Sequence, residues 1–153
     1  MTTCTRILEF DSAHRVLRHE SKCSTLHGHR YKVEITCEAE ELDHAGRVVD
    51  FGCIKEVVGG WIDDHLDHTT IIGAEDEALR EWCMVEALTK GKRFPYMMST
   101  EPTAENLARL LLGVARSLLA DKEISVIKVR VWETPNCFAE AMAGDTLAEA
   151  TKS

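Results

Sequence analysis

Residues 23–35 read CSTLHGHRYKVEI: a thiol, three residues, then two histidines flanking a glycine at the mouth of an alternating apolar run. Side chains two apart on a strand leave the same face, about 7 Å apart along the chain. His27 and His29 therefore project from the side that also carries Tyr31, Val33, Ile35 and Cys37. Two imidazoles buried on an apolar face without partners are costly. His14 ends an earlier alternating run with Leu8, Phe10 and Ser12 on its face, and pairing of the two runs through the intervening loop would bring it opposite the other two. Three neutral imidazoles converging at ~2.0–2.1 Å hold Zn²⁺ and leave a fourth position open, as in a catalytic rather than a structural zinc site. From spacing alone a second interpretation stays open, in which the three histidines merely share a face.

The elements that must position these groups follow from periodicity. Residues 5–14 and 27–38 alternate as strands, and the polar, basic stretch 15–26, with Arg15, Arg18 and Lys22, joins them as a loop. After Asp50 the period becomes helical, through Phe51, Ile54, Val57, Val58, Trp61, Ile62 and His65, despite Gly59-Gly60. An acidic helix is predicted over 75–90, followed by the extended piece RFPYMM. Thr103 then caps a third helix whose inward residues read as Leu107, Leu110, Leu111, Val114 and Leu118. Residues 124–133 form a strand with Ile127, Val129, Val131 and Glu133 on one face, and TPN turns it into a hairpin with CFAEAM. Two strands, helices, then two strands predict an α+β class with a mainly antiparallel sheet.

The 153 residues suffice for one domain with its own core, expected over 1–145, with a flexible tail over 146–153. A net charge of −8 argues against nucleic-acid or anionic-membrane partners, and no apolar run approaches the ~20 residues of a membrane span. The start MTTCTRILEF lacks the basic and apolar regions of a signal peptide, so a cytoplasmic location is expected, with the six cysteines reduced. Glu133 ends an apolar face, where a carboxylate needs partners unless it lies past the strand's end in solvent.

The motifs FDSAH, C-x3-H-G-H, VVDFGCIK, LDHTTI, PTAEN and VWET occur in this order between residue 9 and about 141. Together they resemble the 6-pyruvoyltetrahydropterin synthase and 6-carboxytetrahydropterin synthase family. The resemblance implies a tunnelling fold, with helices packed on one face of a four-stranded antiparallel sheet, and a homo-oligomer (trimer or hexamer) whose active sites lie between subunits. It implies Zn²⁺ on His14, His27 and His29, a catalytic thiol at Cys23 and a catalytic Asp-His pair at Asp67 and His68. Glu133 would act in catalysis and hold the pterin, with Glu105 and Thr103 nearby. The implied substrate is 7,8-dihydroneopterin triphosphate, whose triphosphate Arg15, Arg18 or Lys22 could receive. The C-x3-HGH spacing resembles the bacterial carboxy-forming branch, which releases acetaldehyde and feeds queuosine synthesis; the alternative is the pyruvoyl-forming reaction.

The chain departs from the family pattern in Ile71-Ile72, where Leu-Asn is usual, and in the extra segment 73–100. A second Asp-His, Asp64-His65, sits on the preceding helix, where His65 is expected to pack at the helix end. Two interpretations of a different class remain: a zinc hydrolase, which needs no thiol, and a non-catalytic pterin- or purine-binding module.

Overall fold

The computed structural model describes residues 1–144; the tail expected over 146–153 lies outside the described residues. In chain order the elements are β1 (Thr2–His14), β2 (His27–Ala39), α1 (Phe51–Ile54), α2 (Gly60–His65), β3 (Thr69–Gly73), α3 (Glu77–Lys90), β4 (Tyr96–Met98), α4 (Ala104–Leu119), β5 (Ser125–Thr134) and β6 (Cys137–Met142). A turn of π-helix, Lys55–Gly59, joins α1 to α2.

β1 and β2 pair antiparallel along their whole length, from Thr2 opposite Ala39 to His14 opposite His27. β5 extends the sheet antiparallel to β2, and β6 closes it as a hairpin. Alternation turns Phe10, Tyr31, Val33, Ile35, Val129 and Val131 to one face, where they meet Ile54, Val58 and Ile62 and the stripe Leu107, Leu111, Ala115 and Leu119 of α4. These side chains are almost wholly buried, and the helix–sheet contact they make is the main core.

The described sheet has six strands, ordered β4-β3-β1-β2-β5-β6, rather than the expected four, and it is mixed: β3 runs parallel to β1, and β4 parallel to β3. The α+β class holds. β3 was not expected because TTIIG is buried on both sides and so shows no alternation. Ile71 joins the main core, while Ile72, pointing the opposite way, packs with Leu79 and Cys83 of α3. Helices thus cover both faces at this edge, not one face as expected. The segment 73–100 supplies both α3 and β4. Among the described residues no helix is long and apolar enough to cross a membrane.

Candidate active site

Full register of β1 on β2 sets His14 opposite His27 and Ser12 opposite His29. The three imidazoles therefore share one corner of the sheet, with ring centroids 4.7, 5.1 and 4.8 Å apart. Gly28 lets the strands close there, since a Cβ at this position would stand 3.3 Å from the Ser12 carbonyl oxygen.

Backbone carbonyls orient two of the rings. His14 Nδ1–H donates to the Pro102 carbonyl and His27 Nδ1–H to the Thr25 carbonyl, each at 2.6 Å. Both rings are thereby fixed with their lone pairs on Nε2, the arrangement in which a second hydrogen bond aims a metal ligand. His14 is 2% exposed, and its Nε2 is a buried nitrogen without a hydrogen-bond partner. The Nε2 atoms of His27 and His29 are 3.1 Å apart, near the about 3.3 Å expected of two ligands ~2.0–2.1 Å from one tetrahedral ion. One nitrogen from each ring lies within 4.8 Å of the other two. The residues therefore fit a metal: an ion would give the orphaned His14 nitrogen its partner.

Electrostatics agree. Burial, reinforced by His27 and His29, lowers the His14 pKa to about 4. Burial and then His27 also lower that of His29. Both are driven toward the neutral form that a metal requires. Glu133 Oε1 stands 3.8 Å from His14 Nε2; with His14 neutral at pH 7 this approach is not an ion pair. Burial first, and then the Glu105 charge, push the Glu133 carboxyl above its usual range.

A cavity of about 860 Å³ opens over the triad, and Cys23, Thr103, Glu105 and Glu133 line it as well. Cys23 sits in a one-turn 3-10 helix, Lys22–Ser24, where its carbonyl accepts from Val16 N–H at 2.9 Å. That bond folds the loop back so that the thiol's turn meets the end of β1. Thr103 caps α4, its hydroxyl accepting from Asn106 N–H at 3.3 Å.

Asp67 and His68 lie outside this cavity, and His68 borders a shallow open pocket on the other side of His29. His68 Nδ1–H donates to Asp67 at 2.7 Å, so the predicted pair exists as a hydrogen-bonded unit. Asp11 holds it from β1: its N–H donates to Asp67 at 2.9 Å and its carbonyl accepts from His68 N–H at 2.7 Å. His68 adopts φ 55°, a left-handed conformation uncommon outside glycine. Yet its side chain is 71% exposed, and neither residue lines the chain's own histidine cavity. His65 stacks on Trp61 at 4.4 Å, packed at the helix end but exposed.

Two of the three basic residues considered for the triphosphate are engaged elsewhere. Arg15 makes two 2.6 Å bonds to Asp76, which is 3% exposed and caps α3 through Leu79 N–H. Arg18 pairs with Glu75, and Leu17 N–H donates to Glu101 at 2.8 Å. The segment 73–101 thus anchors the thiol loop. Asp76→Asn is expected to lower unfolding free energy by about 2–3 kcal/mol, since it strips a bidentate guanidinium of its buried partner; denaturant titration measures it. The Arg15 guanidinium holds the Asp76 carboxyl below its usual range, so this contribution is present above the unfolded-state pKa and fades as pH falls through the folded one. Sequence reasoning also missed His19, which lines the cavity; its place in the same loop as the thiol was the available signal.

Comparison with known proteins converges on one family. The sequence model for 6-pyruvoyl tetrahydropterin synthase matches residues 3–143. A Rickettsia bellii protein named 6-carboxy-5,6,7,8-tetrahydropterin synthase is 41% identical over 141 residues, covering 92% of this chain and 99% of that one. A Haemophilus influenzae protein of the same name is 32% identical over 134 residues, 86% of this chain and 92% of its own. Among solved structures, an uncharacterized Wolinella succinogenes protein superimposes with a TM-score of 0.77 at 25% identity, over 92% of this chain and 97% of that one. The Caenorhabditis elegans 6-pyruvoyl tetrahydropterin synthase gives 0.67 at 20% identity, over 93% and 95%, a likeness of fold. The chain belongs to the 6-pyruvoyl tetrahydropterin synthase family.

Proposed function

We propose that this protein is a zinc-dependent 6-carboxy-5,6,7,8-tetrahydropterin synthase, a lyase acting on 7,8-dihydroneopterin triphosphate in the cytoplasm, on the route to queuosine. One observation carries the proposal: the Cys23 thiol, the imidazoles of His14, His27 and His29 and the half-buried Glu133 carboxylate border a single cavity. The names of the relatives above support the same activity.

The reaction expels triphosphate, moves hydrogen along the substrate's side chain and releases acetaldehyde. Its difficulty is removal of a proton from a carbon bearing a hydroxyl. A zinc ion held by His14, His27 and His29 would acidify that C–H and stabilise the negative charge that develops on the neighbouring oxygen. Cys23, which borders the same cavity, takes the proton as the general base. Glu133 has no hydrogen-bond donor of its own among the described residues, and the pterin's paired N–H groups supply two. Glu105 and Thr103 border the same end of the cavity.

Asp67 and His68 act as the second acid/base in this proposal, delivered by a neighbouring copy in a homo-oligomer. Three features support that role. The pair is preformed, its histidine carries a left-handed backbone of the kind found at functional sites, and it is exposed outside its own cavity. Mixing two inactive variants, Cys23→Ala and His68→Ala, is then expected to restore part of the activity on subunit exchange. No recovery, with exchange shown by mass spectrometry, would place the pair outside the chemistry.

The decisive assay incubates metal-loaded protein with 7,8-dihydroneopterin triphosphate and weighs the products. Acetaldehyde with 6-carboxytetrahydropterin is the expected outcome. A pyruvoyl product would assign the sister reaction, and unchanged substrate would reject both.

A further inference from the structure

The loop between β1 and β2 concentrates four groups able to meet an anion: Arg15, Arg18, His19 and Lys22. The structure divides them. Both arginines are committed to carboxylates at the start of α3, and neither lines the histidine cavity. Lys22 and His19 do line it, beside Cys23. The Lys22 ammonium makes no hydrogen bond or ion pair with any described residue. His19 Nδ1 accepts from Ser21 N–H at 3.0 Å, so the neutral ring carries its proton on Nε2 and offers a donor.

Charge is therefore distributed unevenly around the cavity. β5 and the first turn of α4 contribute the carboxylates Glu133 and Glu105, while the loop contributes an unpaired cation and an imidazole donor. In a chain of net charge −8 an anionic ligand is repelled by most of the surface, and the loop is the part of this cavity that attracts it. A ligand with N–H donors at one end and phosphate at the other has one favourable orientation here.

We propose that Lys22 and His19 form the anion-binding end of the cavity and receive the phosphate chain of the ligand, and that Arg15 and Arg18 serve to hold the loop. This inference rests on the proposed function, in that it takes the ligand to be a phosphorylated pterin. Lys22 supplies a mobile charge with three donors, suited to a flexible phosphate chain, and His19 adds a directional N–H. Oriented in this way, the substrate's side chain runs past Cys23, on the same loop.

The test is calorimetric titration of metal-loaded wild type, Lys22→Gln, His19→Gln and Arg18→Gln with inorganic triphosphate, and separately with unphosphorylated 7,8-dihydroneopterin, metal content being matched after each run. Loss of a charge-assisted contact is expected to weaken triphosphate binding about tenfold or more in Lys22→Gln, and several-fold in His19→Gln. Dihydroneopterin affinity should stay within about twofold of wild type, and Arg18→Gln should bind triphosphate as wild type does. Unchanged triphosphate affinity in both cavity variants, an equal loss in Arg18→Gln, or a parallel loss of dihydroneopterin would each overturn the proposal. The two levels separate cleanly. Lys22-dependent triphosphate binding without pterin turnover keeps the anion end and rejects the enzyme, whereas turnover with unaltered KM in Lys22→Gln does the reverse.

Discussion

Replacing His14 with alanine is expected to leave a folded protein that retains no metal at neutral pH and turns over substrate at about one-thousandth of the wild-type rate or less. Metal ions at such sites supply several kcal/mol of transition-state charge stabilisation, and three decades of rate correspond to about 4 kcal/mol. His14 is the most diagnostic of the three because it is the buried one, its Nδ1 fixed to Pro102 and its Nε2 without a protein partner. Elemental analysis of never-chelated protein, run beside wild type, reads the first effect, and turnover the second. Full metal content in the variant would remove the triad from the mechanism.

The same residue makes a prediction about acid. In metal-free protein His14 takes up its proton near pH 4, whereas an unfolded histidine does so near 6.5. Between those values the unfolded state binds more protons, so unfolding free energy falls as pH drops from about 6.5 toward 4 and levels off below. The folded-state pKa near 4 corresponds to a loss of about 3 kcal/mol from this one residue. The His14→Ala protein should lack that part of the slope. Chemical denaturation of both metal-free proteins across the window checks it.

How far the sequence foretold this site depends on what each signal measures. Alternation identified β1, β2 and β5, whose inward residues meet one core, the TPN turn supplied β6, and the pairing of β1 with β2 carried His14 to His27 as expected. β3 escaped because Ile71 and Ile72 are both buried, on opposite faces. In α4 a preference for leucine over alanine drew the inward stripe through Leu118. That residue is exposed, while Ala108 and Ala115, small enough for close approach to the sheet, are buried. In the first helical stretch the buried large apolar residues are Ile54, Val58, Ile62 and Leu66, spaced by four. The π-helical turn at Lys55–Gly59 widens the repeat to hold that spacing, which leaves Phe51 and His65, the two ends of the expected helical period, exposed.

The site's local chemistry was legible where its residues are close in sequence or in strand register. Its partition was not. Nothing near Arg15 or Arg18 reveals that their carboxylates lie some sixty positions onward, at the start of α3. The exposure of His68 was equally hidden, because a motif specifies that an aspartate and a histidine adjoin, and the surface they face depends on the path of β1 and β3 around them.

Cys23→Ala should lose about 10²- to 10⁴-fold in kcat, the usual contribution of a positioned proton-transfer group, while metal content and substrate affinity stay near wild type. The argument is one of location. The thiol borders the cavity from the loop, held through its own carbonyl by Val16, and none of the metal-facing nitrogens depends on its side chain: His14 and His27 are oriented by Pro102 and Thr25. Truncation at Cβ therefore removes the base and leaves the metal site intact, so KM should move little while kcat collapses. Serine, with nearly the same shape but a far less acidic proton, should recover little of the loss. The outcome also discriminates between reaction classes, since a metal-bound hydroxide attacking an ester or amidine would not need this sulfur. A Cys23→Ala protein with wild-type kcat would make the site a hydrolase in which the thiol is incidental. A metal-replete but inactive one ties the carbon-proton chemistry to this loop.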